Sequence, residues 1–300
     1  LQNSCNLAFA HIGLKIGGER FYDYVKAFGV LEKTGIDLQG ESSGVFFDRS
    51  LIVNTEKYGT ASLTSASFGQ TFKLTPLQLV RAIAAVVNGG QLLEPYIVSK
   101  VTDENGKVLL QQEKTVLRQV ISQETSDTMC QLLASVVAQG TAKNANVVGY
   151  SIGGKTGTSE KIDVFDENGQ RVLDKIVSFV GIAPMEDPRY IVLVALDTPS
   201  RSTGLYISGG VMAAPVAGSV LAEILPYLGV EKAAQEPVSM PDLTGLNRKE
   251  TEKLLKSSGL EAMHLGTEEA VTGQIPLPGR QIQPGTQVIV YWGRQPQSSC

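Results

Sequence analysis

YSIGGKTGTSEK, residues 150–161, is the stretch on which the fold turns, and it admits two readings. From Gly149 to Thr156 it satisfies the G-x-x-x-x-G-K-[ST] phosphate loop in full. The run YIVLVALD at 190–197 even mimics the apolar strand whose final aspartate would hold magnesium. A phosphate cradle, however, needs a strand before the loop and a helix whose N-terminus opens at the Lys-Thr pair. Residues 142–148 (AKNANVV) make a weak strand, and no i, i+3, i+4 stripe follows before Asn168-Gly169. Gly157, directly after Lys155-Thr156, costs a helix about 1 kcal/mol relative to alanine. The nucleotide reading is therefore set aside.

The second reading places Lys155-Thr156-Gly157-Thr158 on an edge strand. The period of two sends Thr156 and Thr158 to one side and Lys155 to the other. Gly157 has no side chain, so a peptide can lie close against the strand. An ammonium and two hydroxyls beside one groove suit a substrate with a terminal carboxylate, held by charge-assisted hydrogen bonds. By itself the four-residue motif fits a surface turn with one lysine equally well.

Working outward, IVSFVGIA (176–183) and YIVLVALD (190–197) are β-branched apolar strands separated by a turn at 184–189. Asn168-Gly169 and Asn105-Gly106 signal hairpins of the two-residue kind. An apolar helix is expected over 211–227, interrupted by Pro215 and stopped at Pro226. Upstream, Phe21, Tyr24, Val25 and Phe28 mark one helix face, and 34–41 (TGIDLQGE) has no period. Thr75-Pro76 starts a helix carrying Leu77, Val80, Ile83, Ala84 and Val87, ended by Asn88-Gly89-Gly90. Ser122 caps another, with the face Met129, Leu132, Leu133, Val136 and Val137, closed by Gly140. Helices, then a meander of strands, then a last helix imply an α+β fold with an antiparallel sheet. Residues 1–229 form this region and 230–237 read as a polar linker. Residues 238–293 read as a small α+β module with a helix near 249–258 and strands near 262–265 and 287–291.

The composition narrows the function. A chain of 300 residues with 42% apolar residues can bury a core without disulfides or metals. Its net charge of −4 gives no reason to expect nucleic acid as a partner. No apolar run reaches the roughly 18 residues of a membrane span without a charge or proline. Cys5, Cys130 and Cys300 include no C-x-x-C, and with His11 and His264 alone no zinc site of ordinary spacing can be written. No cofactor or metal is expected.

Ser4-Cys5-Asn6, an S-x-N, precedes the K-T-G-T by about 150 residues. Here the sequence resembles the class B penicillin-binding transpeptidases of septal and sporulation type. Thr34–Glu41, Phe68-Gly69-Gln70, Thr75-Pro76-Leu77-Gln78, Asn88-Gly89-Gly90, Gly140-Thr141-Ala142 and Gly153–Thr158 stand in family order. Pro241-Asp242-Leu243-x-Gly245, Gly259-Leu260 and Gln283-Pro284-Gly285 resemble a PASTA domain. The resemblance implies the penicillin-binding transpeptidase and serine β-lactamase-like fold, an antiparallel sheet flanked by helices. It implies cross-linking of peptidoglycan stem peptides by acyl transfer from D-alanyl-D-alanine, with β-lactams as covalent inhibitors and a glycan polymerase as a candidate partner. Ser4 would relay protons, Asn6 hold the acyl chain and Lys155 act as electrostatic anchor. Thr156 and Thr158 would bind carboxylate beside Gly157, with the Thr158 N–H in the oxyanion hole.

One departure stands out. No serine in the 300 residues is followed three positions later by lysine, and Thr158-x-x-Lys161 is the nearest hydroxyl analogue. The family's S-x-x-K lies upstream of S-x-N, so nucleophile and base are expected before Leu1, together with an N-terminal segment that anchors the protein at the extracytoplasmic face of the bacterial cell membrane. The chain alone is then expected to be inactive. Cys5 is expected to be a small buried filler, or else a redox-sensitive thiol pairing with a cysteine further upstream. A non-catalytic β-lactam or muropeptide sensor of the same fold is the alternative, and a hydrolase of that fold is a third reading.

Overall fold

Local capping and side-chain-to-backbone bonds shape the first 90 residues. The computed structural model describes residues 1–161, 164–172, 174–232, 238–282 and 284–293, in two units, 1–230 and 231–300. Helix α1 (Asn6–Ile16) gives way at Gly17 (φ 82°, ψ 153°), a conformation suited to glycine, to α2 (Gly18–Ala27). Phe21 and Tyr22 pack on Ile52, Leu63 and Ala66, whereas Tyr24, expected on the buried face, is exposed. Ile52 and the Leu63–Ala66 pair belong to α3 (Arg49–Val53) and α5 (Ala61–Ser67), with α4 (Thr55–Tyr58) between them. These three short helices carry no amphipathic period long enough to read.

Helix α6 (Pro76–Val87) opens with a capping box: Thr75 Oγ1 accepts the Gln78 N–H at 3.2 Å and Gln78 Oε1 accepts the Thr75 N–H at 3.0 Å. Gln78 then donates through Nε2 to the carbonyls of Val30 and Glu32. One turn on, the buried Arg81 donates to the carbonyls of Thr34 and Gly29. Glu41 accepts from the N–H and hydroxyl of Thr34 and from the Gly35 N–H. The aperiodic 34–41 stretch is thus fixed by individual hydrogen bonds, which leave no hydrophobic repeat in the sequence.

Strand β1 (Gln91–Leu93) pairs antiparallel with β4 (Val116–Gln119), and between them β2 (Lys100–Thr102) pairs with β3 (Val108–Gln111). The turn differs from the two-residue form expected. Asp103 and Lys107 close a three-residue loop, Gly106 takes φ 79°, and the Asp103 carboxylate accepts the N–H groups of Asn105 and Lys107. The same D-E-N-G sequence recurs at Asp166, whose carboxylate accepts from Asn168 and Gln170, with Gly169 at φ 73°. In both, the aspartate side chain lengthens the turn by one residue.

Helix α7 (Gln123–Gln139) is capped by Ser122 and closed at Gly140. Its buried face is Ser126, Leu133, Val136 and Val137, whereas Leu132 is exposed. The central sheet follows: β5 (Gly153–Glu160), β6 (Lys175–Ala183) and β7 (Tyr190–Asp197), antiparallel in that order. Lys155-Thr156 lies within β5, so no helix begins there and the phosphate-loop geometry is absent. Phe179 and Ala183 on one face of β6 pack with the last helix, while Val180 and Ile182 on the other meet Val87 and Leu133 of α6 and α7. The middle strand is therefore apolar on both sides, and its sequence reads as a continuous run.

That last helix starts with a π-helical turn at Gly209–Ala213 and runs on as α8 (Ala214–Tyr227). Pro215 sits in its first turn, where a missing N–H is tolerated, and Pro226 lies inside the last turn without ending it. At 19 residues Gly209–Tyr227 is long and apolar enough to cross a membrane, although Pro215, Glu223 and Pro226 interrupt the apolar run as the sequence indicates. Here Ala213, Ala214, Ala217, Leu221 and Leu225 are fully buried against the sheet as part of the unit's core. Val230 is also buried in this core, and the Tyr150 hydroxyl donates to its carbonyl, so the first unit extends one residue past 229. Most of the expected linker, 233–237, lies outside the described residues.

The second unit contains β8 (Val238–Ser239), α9 (Arg248–Ser257), β9 (Glu261–Gly266), β10 (Gly273–Ile275), β11 (Gln281–Ile282) and β12 (Gln287–Trp292). Strand β12 lies between β10, antiparallel, and β9, parallel. Met240, Leu243, Leu255, Leu260, Val271, Val288, Val290 and Trp292 form its core. Gln274 bridges the Leu243 N–H and the Pro241 carbonyl, which fixes the 241–245 turn. Gln283 of the third PASTA-like motif lies outside the described residues.

Candidate active site

Strand β5 is the outer strand of its sheet, and its free side borders a cleft of about 960 Å³. Ser4, Asn6, Lys155, Thr156, Gly157 and Thr158 all line it, so the structure brings the candidate residues of S-x-N and K-T-G-T to one place. Ser4 stands in the segment before α1 in a left-handed conformation, φ 48°, uncommon for a residue with a side chain and met at functional sites. Its N–H bonds the Leu1 carbonyl, and the Thr141 N–H holds the Gln2 carbonyl at 3.1 Å. These contacts tie the N-terminal segment to the end of α7. Asn6 is the first residue of α1 and is exposed at the cleft.

Lys155 Nζ donates to Ser4 Oγ and to the Thr156 carbonyl, both at 2.8 Å. Burial pushes its pKa down, and among the described residues no carboxylate pairs with it. A serine that accepts from an ammonium keeps its own proton free to donate. The pair thus couples a serine hydroxyl with a free proton to a lysine whose charge is destabilised by burial.

Thr158 Oγ1 accepts the Gly209 N–H at 3.2 Å, and the hydroxyls of Thr156 and Thr141 lie 3.2 Å apart. Among the described residues the Thr158 hydroxyl proton has no acceptor and is free to donate into the cleft. The π-helical turn must approach β5 closely: a Cβ on Gly209 would lie 2.2 Å from the Ser178 carbonyl oxygen, and one on Gly210 equally close to that of Thr141. Asn144 Nδ2 donates to the Gly210 carbonyl at 2.9 Å and locks the turn after Thr141 onto the same element. Thr141, Asn144, Gly209 and Gly210 carry no role in the sequence reading. Their signals were a Gly-Thr-Ala after a helix and a Gly-Gly before one.

One sequence expectation is corrected. Cys5 is exposed, not a buried filler, because it precedes α1 where nothing packs over it. Lys161, three residues after Thr158, is committed elsewhere: it pairs with Asp197 and donates to Thr198 Oγ1 at 3.1 Å. This agrees with the sequence reading, which sets the T-x-x-K spacing aside and expects the base upstream of Leu1.

Comparison with known proteins places this geometry. Residues 1–222 match the penicillin binding protein transpeptidase domain, and residues 238–293 match the PASTA domain. Stage V sporulation protein D of Bacillus subtilis is 38% identical over 304 aligned residues, covering 97% of this chain and 45% of that protein. The "Probable peptidoglycan D,D-transpeptidase FtsI" of Caulobacter vibrioides is 32% identical, covering 78% of this chain and 38% of its own length. The chain thus spans less than half the length of these curated relatives. Penicillin-binding protein 3 of Mycobacterium tuberculosis, solved with ampicillin, superposes with a TM-score of 0.67 at 27% identity, covering 78% of this chain and 51% of the other. An S-x-N serine bonded to the K-T-G-T lysine on the outer strand of an antiparallel sheet, in a chain matched over 1–222 and 238–293, identifies a class B penicillin-binding protein, with a transpeptidase domain followed by a PASTA domain.

Proposed function

We propose that residues 1–230 supply the substrate-binding half of a peptidoglycan D,D-transpeptidase site, acting in spore or septal wall synthesis at the extracytoplasmic face of the membrane. The carrying observation is the 2.8 Å bond from Lys155 to Ser4, which joins two motifs 151 residues apart over a cleft. In this reading the D-alanyl-D-alanine end of a stem peptide lies antiparallel to β5. Its carboxylate accepts hydrogen bonds from the Thr156 and Thr158 hydroxyls, and Asn6 holds the acyl-chain amide. The Thr158 N–H stabilises the oxyanion as a serine nucleophile attacks the penultimate carbonyl. The bond to the terminal D-alanine then breaks, and its amine takes the proton that Ser4 relays. β-Lactams, which mimic the peptide, occupy the same place.

The nucleophile is not among these 300 residues, since none of their serines has a lysine three positions on. The chain by itself is therefore expected to form no covalent adduct with a labelled penicillin. A chain extended to include an S-x-x-K serine acylates, and Ser4→Ala in it slows transfer ~10²–10⁴-fold, the usual contribution of a positioned acid–base group. Stoichiometric labelling of the 300-residue chain, read by intact mass, would overturn this assignment.

A further inference from the structure

The cleft holds two ammonium groups and, among its described lining residues, no carboxylate. One of the two is already engaged. Lys155 gives two of its three N–H bonds to Ser4 Oγ and the Thr156 carbonyl, and it is largely desolvated there. An ammonium in that state is placed to organise Ser4 and has one donor left for an incoming anion. The other is Lys143, which lines the same cleft, is exposed, and among the described residues has no hydrogen-bond or ion-pair partner for its side chain.

Its backbone, by contrast, is held. Lys143 starts a short 3-10 turn (Lys143–Ala145) between the fully buried Ala142 and Ala145. The next residue, Asn144, is bonded to the Gly210 carbonyl. Ala145 packs so closely on α8 that a Cβ on Gly218 would come within 3.1 Å of its Cα. Two residues before Lys143, the Thr141 hydroxyl meets that of Thr156, one of the two threonines expected to take the peptide carboxylate. A fixed mount that carries a long ammonium side chain, without a partner among the described residues, into the cleft that Thr141 and Thr156 also line suits the reading of one negative charge.

We propose that Lys143 supplies a positive charge to the peptide's terminal carboxylate held by the Thr156 and Thr158 hydroxyls, while Lys155 serves to position Ser4. Lys143 is then a specificity-determining residue, selecting ligands that end in a free carboxylate. This deepens the peptide-binding role proposed for the cleft and rests on it.

The test uses the 300-residue chain and two fluorescent peptides that end in D-alanyl-D-alanine, one as the free acid and one as the C-terminal amide. Wild type should bind the acid about 3–10-fold more tightly at low salt, the scale of a partly exposed charge-assisted contact, with the gap narrowing as salt rises. Lys143→Met should weaken the acid and leave the amide unchanged, and Lys143→Arg should restore the preference. If Lys143→Met keeps the preference, or weakens both peptides equally, the inference is wrong and the cleft assignment stands. If wild type binds neither peptide, the cleft assignment fails and takes the inference with it.

Discussion

The cleft of the first unit and the histidine–tryptophan cluster of the second use polar groups in opposite ways. In the cleft, Ser4 and Thr158 each accept from a protein donor and keep a proton to give away. In the module, Trp292 Nε1 donates to His264 Nδ1 at 2.9 Å, the Arg248 guanidinium lies 5.5 Å from the indole ring centroid, and Glu252 faces His264 Nε2. There the polar groups satisfy one another around a buried ring. A large unit has enough apolar core to hold an open, polar, partly desolvated cleft. A module of residues 238–293 has little surface to bury, and its polar side chains go to holding its core.

The sharpest break of this contrast is Trp292→Ala. The indole is 3% exposed, and removing a buried aromatic costs about 3–5 kcal/mol, comparable with the whole stability of so small a module. Residues 238–293 should lose their dispersed amide spectrum while the melting of 1–230 is unchanged. Retention of a folded module would show that the core does not depend on the ring.

Gly210→Ala asks the same of the cleft. The added methyl meets the Thr141 carbonyl oxygen at 2.2 Å, an overpacking of about 1–3 kcal/mol. The first unit should melt lower, and D-alanyl-D-alanine peptides should bind more weakly. An unchanged melt would mean that the π-helical turn can shift away from Thr141.

The smallest effect sharpens the module side. His264 Nδ1 can accept from Trp292 only while it is unprotonated. Burial, then the nearby Arg248, holds its pKa below the ordinary 6.5, against the opposing pull of Glu252. The unfolded chain therefore binds the proton more readily, so this contribution is fully present above pH 6.5 and is lost as pH falls through the lower folded value. Trp292 is the chain's single tryptophan, so indole emission reports the surroundings of this ring, and His264→Gln isolates the histidine's part. Emission should change with one titration below pH 6.5, absent in His264→Gln; a flat profile in the wild type would remove the histidine from the account.

Legibility followed the range of the interactions. The strands β5, β6 and β7, the Thr75 cap, the Gly140 stop and the α9 helix were readable because each is set by neighbours within a few residues. Helices α3, α4 and α5 were not, being too short to show a period. Leu132 and Tyr24 lie on apolar stripes yet face solvent, since a stripe says where a helix can pack and not how much of it is covered. The two D-E-N-G turns came out one residue longer than the Asn-Gly signal suggests, through aspartate bonds that a dipeptide rule omits.

The sequence by itself determined the chemistry of the site, a serine, an asparagine, a lysine and two threonines in S-x-N and K-T-G-T, and the division into a transpeptidase region and a PASTA module. Only the tertiary structure decided which charge does what. Lys143, Lys155 and Lys161 are the same residue in the sequence, yet one is exposed in the cleft with no partner among the described residues, one is desolvated on Ser4, and one is paired with Asp197. A lysine's role is set by the water it loses and the partners it meets, and both come from residues distant in the chain.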